Sequence, residues 1–172
     1  MRATVVCESA FGNTRKIAEA IAEALDAELL SVEDSLPDLD ALDLLVVGAP
    51  THVHGLPSER SRKAAVDQGG TGVDPTRGIR DWLTELPPAN GQLVAAFDTR
   101  FEKPAWLTGS AAKGIVKRLR RQGFEVAAAP ESFYVLGGEG PLKDGELERA
   151  REWAAGLRDQ VEDVERLAVG SH

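Results

Sequence analysis

Residues 42–48 read Leu-Asp-Leu-Leu-Val-Val-Gly, a near-continuous apolar run. A strand with one face in water alternates apolar and polar side chains. A run that does not alternate suits a parallel strand covered by helices on both faces. The rest of the chain supplies what such a strand needs. Residues 4–7 are a short β-branched run, and Ile17, Ala20, Ile21, Ala24 and Leu25 follow at helical spacing. Residues 29–32 and 93–97 predict two more strands, and residues 124–129 a fifth, continued at 133–136 beyond Pro130. Asp74 before Pro75 is a helix-start signal, with Ile79, Trp82, Leu83 and Leu86 as the apolar face and Pro87-Pro88 as the stop. Ser110 caps a helix that turns Ala112, Ile115, Val116 and Leu119 inward and ends at Gly123. Leu147, Ala150, Ala154, Leu157, Val161, Val164 and Ala168 predict a last helix over residues 143–168. Trp82 and Trp153 fall on or beside these stripes and read as core. Residues 49–73 and 98–109 read as loops, the first with a short helix near 58–66. Five strands alternating with helices predict an α/β fold: one doubly wound, five-stranded parallel sheet with helices on both faces, as a single domain over residues 1–172.

Composition narrows the function. A chain of 172 residues buries roughly 70% of its unfolded surface and needs no disulfide or metal to hold it. Its one cysteine excludes an internal disulfide and a Cys-based zinc cluster. Cys7 lies inside a strand pattern and reads as inert core. Twenty Lys and Arg against 28 acidic residues give a net charge of -8, which repels phosphate backbones and argues against nucleic acid as a partner. The same charge suits docking on a basic protein patch. No stretch approaches the roughly 20 apolar residues of a membrane span, and the first residues lack a signal peptide's apolar run. The expected location is therefore cytoplasmic. Gly170-Ser171-His172 reads as a frayed end.

In sheets of this kind ligands bind at the carboxyl ends of the strands. Ser9-Ala10-Phe11-Gly12-Asn13-Thr14 leaves the first strand and opens a helix. Its hydroxyls, its amide and the free N–H groups of the first helical turn suit a phosphate, although Ser9 or Asn13 would equally serve as a plain helix cap. Pro50-Thr51-His52-Val53-His54-Gly55 follows the third strand. His52 and His54 with no third ligand are a weak zinc signal. Asp98-Thr99-Arg100-Phe101 follows the fourth, with Trp106 nearby. Its aromatics read either as core lids or as a surface that stacks a flat ligand.

Together these three strand ends resemble the flavodoxin family. The first matches that family's Ser/Thr-x-Thr-Gly-x-Thr phosphate loop, and the second its Pro-Thr followed by an aromatic and a glycine. The resemblance runs along nearly the whole chain. It implies strand order 2-1-3-4-5, bound FMN, and an electron carrier that docks on a reductase and an acceptor, as a monomer. It places the FMN phosphate on Ser9, Phe11, Gly12, Asn13 and Thr14. The ring would lie between Pro50, Thr51, His52, Val53, His54 and Gly55 on one side and Asp98, Thr99, Arg100 and Phe101 on the other. Gly55 would be the point where backbone meets the flavin. The chain's acidity would lower the flavin potential. Phe11 replaces a threonine of the family loop, His52 replaces an aromatic, and no tyrosine follows the fourth strand. Residues 56–73 are longer than the corresponding loop of a small flavodoxin. They read either as solvated surface or as a lid whose Arg60, Arg62 and Lys63 approach the flavin edge or an anionic group of a partner.

Other users of this architecture fit less well. A response-regulator receiver needs an acidic pair after the first strand and an aspartate after the third, where Cys7-Glu8 and Gly48-Ala49 stand. A small tyrosine phosphatase needs Cys-x5-Arg, and Asn13 occupies the arginine position. No G-x-G-x-x-G, Walker loop or G-x-S-x-G elbow is present. Two alternatives to the carrier remain: an NAD(P)H- or quinone-linked FMN oxidoreductase, and a protein that kept the fold and lost the flavin.

Overall fold

A computed structural model describes residues 1–170, and Ser171 and His172 lie outside the described residues. The apolar runs form the middle of one sheet. β1 (Ala3–Cys7) is buried throughout, and β3 (Leu44–Pro50) is buried up to its last residue. They pair in parallel, Val5 opposite Val46. β2 (Glu28–Ser31) flanks β1, and β4 (Leu93–Phe101) flanks β3. The far edge is divided between β5 (Glu125–Val126) and β6 (Glu131–Val135), both parallel to β4. The order is β2-β1-β3-β4-β5, with β6 continuing the β5 edge. Residues 127–130 stand opposite only Ala95 and Ala96, so the edge strand bulges before Pro130, which cannot donate to the ladder.

Helices cover both faces. α1 (Asn13–Leu25) and α6 (Glu146–Gly170) pack on one, where Ile17, Ile21, Leu25, Ala154, Leu157 and Val161 join Val5 and Val46. α3 (Ile79–Glu85) and α5 (Ala111–Arg121) pack on the other, where Trp82, Leu83, Ile115 and Leu119 join Val6, Leu45 and Val47. Trp82 is buried, and Trp153 packs edge-on against Phe97 and Phe133. Successive residues of β1 and β3 therefore feed opposite cores, which is why these strands read as unbroken apolar runs.

The structure departs from the sequence reading in three places. The Asp74-Pro75 helix begins later, at Ile79. Asp74 instead closes a tight turn, its carboxylate accepting from the Thr76 amide at 2.8 Å and hydroxyl at 2.6 Å. The last helix begins at Glu146 rather than 143 and runs to Gly170. Residues 98–101, read as loop, belong to β4: pairing of Phe97–Phe101 with Glu131–Val135 carries that strand beyond the apolar run. A four-residue helix, α4 (Ala105–Thr108), follows it. The short helix within residues 49–73 is α2 (Glu59–Asp67), closed by a reciprocal Ser58–Ser61 capping box.

Candidate functional site

The carboxyl ends of β1, β3 and β4 meet around a cavity of about 590 Å³. Ser9, Phe11, Asn13, Thr14, Pro50, Thr51, His52, Val53, His54, Thr99, Arg100 and Phe101 line it, whereas Gly12, Gly55 and Asp98 do not. Asp98 is fully buried and accepts from the Ser110 hydroxyl at 2.6 Å and the Ala112 amide at 3.0 Å. It caps α5 instead of walling the cavity.

The loop after β1 is drawn tight by its own first residue. The Ser9 hydroxyl accepts from the amides of Gly12 at 3.1 Å and Arg15 at 3.2 Å. Gly12 sits at the N-cap of α1. The amides of Asn13 and Thr14 belong to the first helical turn, whose N–H groups have no carbonyl partner within the helix and carry the positive end of its dipole. The Thr14 hydroxyl is already engaged, sharing a buried hydrogen bond with the Thr99 hydroxyl. Asn13 donates to the Glu139 carbonyl at 3.0 Å.

The loop after β3 is a two-residue hairpin. His52 and Gly55 exchange backbone hydrogen bonds of 2.8 and 2.9 Å across Val53 and His54. Both central residues are left-handed, with φ of 43° and 70°, as this turn requires. The turn therefore pivots on Val53 and His54 rather than on Gly55, whose N–H and carbonyl are both held by His52. A β-branched residue with positive φ is strained, and Val53 is also 85% exposed. The hairpin is pinned from α5's side by Gly109, which pairs with His54 so closely that a Cβ there would strike the His54 carbonyl.

Residues 56–73 are neither a free loop nor a simple lid. α2 lends Ser61, Ala64, Ala65 and Gln68 to the cavity wall. The glycine-rich stretch behind it folds onto the β1 loop, where Thr71 and Gly72 donate to the Ala10 carbonyl at 3.1 and 3.4 Å. Gly72 lies so near the Ser9 carbonyl that any side chain would collide with it. Of the three cations predicted to approach the ligand, Arg60 and Lys63 are exposed, Lys63 pairing with Glu59 at 2.6 Å. Arg62 is buried and points elsewhere, to Glu8 at 3.6 Å and Asp81 at 3.8 Å. Glu8 Oε2 accepts the Ile79 amide at 3.0 Å, and Arg62 Nε donates to the Pro75 carbonyl at 3.2 Å. Burial pushes the Glu8 carboxyl above its ordinary value, although the Ile79 amide and Arg62 both favour the carboxylate. Burial likewise pushes the Cys7 thiol up to about 12, so it is inert. His52, hydrogen-bonded through Nδ1 to the Ser61 hydroxyl at 3.0 Å, is held below its ordinary value by burial and by the charge of Arg62.

The charged side chains that line the cavity are cationic, although Arg100 pairs through Nε with the buried Asp98 carboxylate behind the wall at 3.9 Å. Arg100 and Lys103 line it and no carboxylate does. The acidity inferred from composition therefore does not extend to the cavity wall. Arg100 also braces the rim, donating to the Ser132 hydroxyl at 2.9 Å and, through Nη1, to the Lys103 carbonyl at 2.5 Å and the Thr108 hydroxyl at 3.1 Å. The mouth is apolar: Val53, Phe101 and Leu107 line it and are exposed, and Trp106 beside them is 84% exposed. Lys103, Leu107, Thr108 and the α2 residues were not legible as site residues, because nothing in their spacing tells which connecting segments fold back over the strand ends. Among the described residues no group of three or more His, Cys, Asp or Glu could hold a metal, and no helix is long and apolar enough to cross a membrane.

Residues 4–62 match the family model of the flavodoxin domain. None of the curated proteins compared by sequence matches the chain. Several solved structures share its fold. A flavodoxin from the domain Archaea is 21% identical, with 94% of this chain and 99% of that one covered and a TM-score of 0.65. Oxidised flavodoxin 2 from Bacillus cereus is 18% identical, with 93% and 99% covered and a TM-score of 0.66. A flavodoxin, WrbA-like protein from Agrobacterium tumefaciens is 20% identical, with 94% and 98% covered and a TM-score of 0.57. At these identities the likeness is one of fold: the chain has a flavodoxin-like fold, and its residues 4–62 match the flavodoxin domain.

Proposed function

We propose that the chain binds FMN in this cavity and works as an electron carrier between protein partners. The observation that carries the reading is the cavity wall: on a chain of net charge -8, the cavity that reaches the first turn of α1 at Asn13 and Thr14 has Arg100 and Lys103 in its lining and no carboxylate. That composition suits an anionic group at the helix end. The apolar mouth of Val53, Phe101 and Leu107 suits a flat ring. The size is that of a small-molecule site. When bound, FMN supplies the redox chemistry.

The chain's own groups have separable tasks. The first-turn amides of α1 and the Asn13 side chain bind the phosphate. Ser9 holds the loop in the shape that presents those amides. His52, Val53 and His54 form one wall of the ring site, and Thr99, Arg100 and Phe101 the other. Arg100 and Lys103 favour added negative charge in the cavity, which raises the potential relative to a cavity walled by acids. The exposed Trp106, Phe101 and Leu107 give a redox partner an apolar contact beside the mouth.

An absorbance titration tests this reading. Purified apoprotein is expected to bind FMN at micromolar concentration or tighter, and riboflavin, which lacks the phosphate, at least about tenfold more weakly. Equal affinity for the two would remove the phosphate assignment. No binding of either would favour a protein that kept the fold and lost the flavin. The wall contributed by α2 favours a second reading, an oxidoreductase with room for its own substrate. Steady NADPH oxidation by the flavin-loaded protein alone would support that second reading, and inertness without a reductase would support the carrier.

A further inference from the structure

Arg62 sits behind the cavity, and the ligand site gives it no direct role. Its side chain is 3% exposed and faces Glu8, whose side chain is 1% exposed. Glu8 stands between Cys7, the last residue of β1, and Ser9, so it joins the strand to the β1 loop. Arg62 follows Ser61 on α2, and Ser61 is the hydrogen-bond partner of His52. One guanidinium therefore links the strand that launches the β1 loop, the helix that walls the cavity and the turn at Pro75. Glu8 Oε1 and Arg62 Nη1 have no hydrogen-bond partner beyond their 3.6 Å ion pair. Such an arrangement is costly: two apolar side chains of similar size often stabilise a fold as well or better.

We propose that Arg62 is a positioning residue of the ligand site, fixing α2 against the end of β1 so that Ser61 holds the His52 imidazole in the cavity wall. The surroundings of His52 agree. Ser61 faces it from α2. His54 belongs to its own hairpin, and Arg100 and Lys103 line the same cavity from beyond β4. No carboxylate lines the cavity to stabilise an imidazolium. Arg62 adds a positive charge that water screens little because it is buried, offset in part by the carboxyls of Glu8 and Asp81 beside it. Burial is the first cause that holds His52 below its ordinary value, and the charge of Arg62 is the second.

The inference rests on the FMN reading only for the identity of the ligand, so it is tested first in the ligand-free protein. The acid constant of His52 is followed by NMR pH titration in wild type, Arg62→Lys, Arg62→Met and the double variant Glu8→Gln/Arg62→Met. The double variant keeps the Ile79 cap and removes both charges, which protects the test if Arg62→Met alone does not fold. The midpoint of His52 is expected to rise in Arg62→Met by roughly threefold or more in acid constant, the size of a partly screened charge interaction, and to rise less in the double variant, which also loses the Glu8 carboxyl. Arg62→Lys is expected to stay close to wild type. An unchanged midpoint in Arg62→Met, or in Arg62→Gln if the methionine variant does not fold, would overturn the proposal. FMN titrations of the same proteins then read the positioning, with affinity expected to fall in the double variant and to be largely retained with lysine. Equal affinity in all of them would overturn the positioning role. If wild type binds no FMN, the FMN reading fails while the NMR midpoints still decide the role of Arg62 toward His52.

Discussion

The hydroxyls of Thr14 and Thr99 share a buried hydrogen bond of 2.7 Å that ties the first turn of α1 to the carboxyl half of β4. Two walls of the cavity are thus joined by one neutral contact. Thr14→Val or Thr99→Val leaves one buried hydroxyl unpaired and should cost about 1–3 kcal/mol each. The double variant removes both hydroxyls and should be less destabilised than the two single effects added together. Urea denaturation of the four proteins checks this, and strict additivity would show that the two hydroxyls do not depend on each other.

Ser9 does two jobs that one substitution separates. Ser9→Ala loses the acceptor for the Gly12 and Arg15 amides and should lower stability by about 1 kcal/mol, the usual cost of a lost cap. It should also weaken FMN binding by about tenfold, or about 1.4 kcal/mol, with a smaller effect on riboflavin. Loss of stability with unchanged FMN affinity would leave Ser9 as a cap alone.

The Glu8–Arg62 pair gives stability a pH signature. The folded Glu8 carboxyl lies above its ordinary value of 4.5, with burial as the first cause. A raised carboxyl contributes stability that is fully present below 4.5 and is lost as pH rises through the raised value. Arg62 limits that loss because it favours the carboxylate. Arg62→Met should therefore be destabilised by about 3–5 kcal/mol near neutrality and by less in acid. Urea midpoints measured between pH 4 and pH 7 check the trend, and a gap that does not grow with pH would show that Glu8 does not titrate in this range.

Val53 stores strain at the cavity mouth. Its φ of 43° is unfavourable for a β-branched side chain, and 85% exposure gives it little packing in return. Val53→Asn keeps a side chain that tolerates the left-handed region and should stabilise the fold by about 1 kcal/mol. Thermal and urea melts measure this. Unchanged stability would mean that Val53 packs better than its exposure implies.

Much of this protein was legible before its fold was known. The strands and both helical layers follow from apolar periodicity, because Val5, Val46 and Ile115 report the same burial in sequence and in structure, whereas the sheet order came with the family resemblance. The strand ends were legible because ligand sites in parallel sheets lie there. What failed has a common cause. Asp98, Arg62 and Gly55 were assigned by position in the chain, but their partners lie far away in sequence: Ser110 and Ala112 for Asp98, Glu8 for Arg62. For Gly55 the turn geometry passed to Val53 and His54. A single residue's chemistry does not say which distant group will claim it. Net charge misled for the same reason: the acids are spread over the chain, but none lines the cavity.

The packing of α1 against α6 also bears on how the chain comes off the ribosome. Ile17, Ile21 and Leu25 share one core with Ala150, Ala154, Leu157 and Val161. At synthesis rates of about 5–20 residues per second, the later group emerges on the order of ten seconds after the earlier one. During that interval the apolar stripe of α1 has strands to lie on but no helical neighbour, and it is open to chaperones and to other nascent chains. Completion of this core thus waits for α6, and a chain stalled before that helix emerges leaves the stripe of α1 open to aggregation.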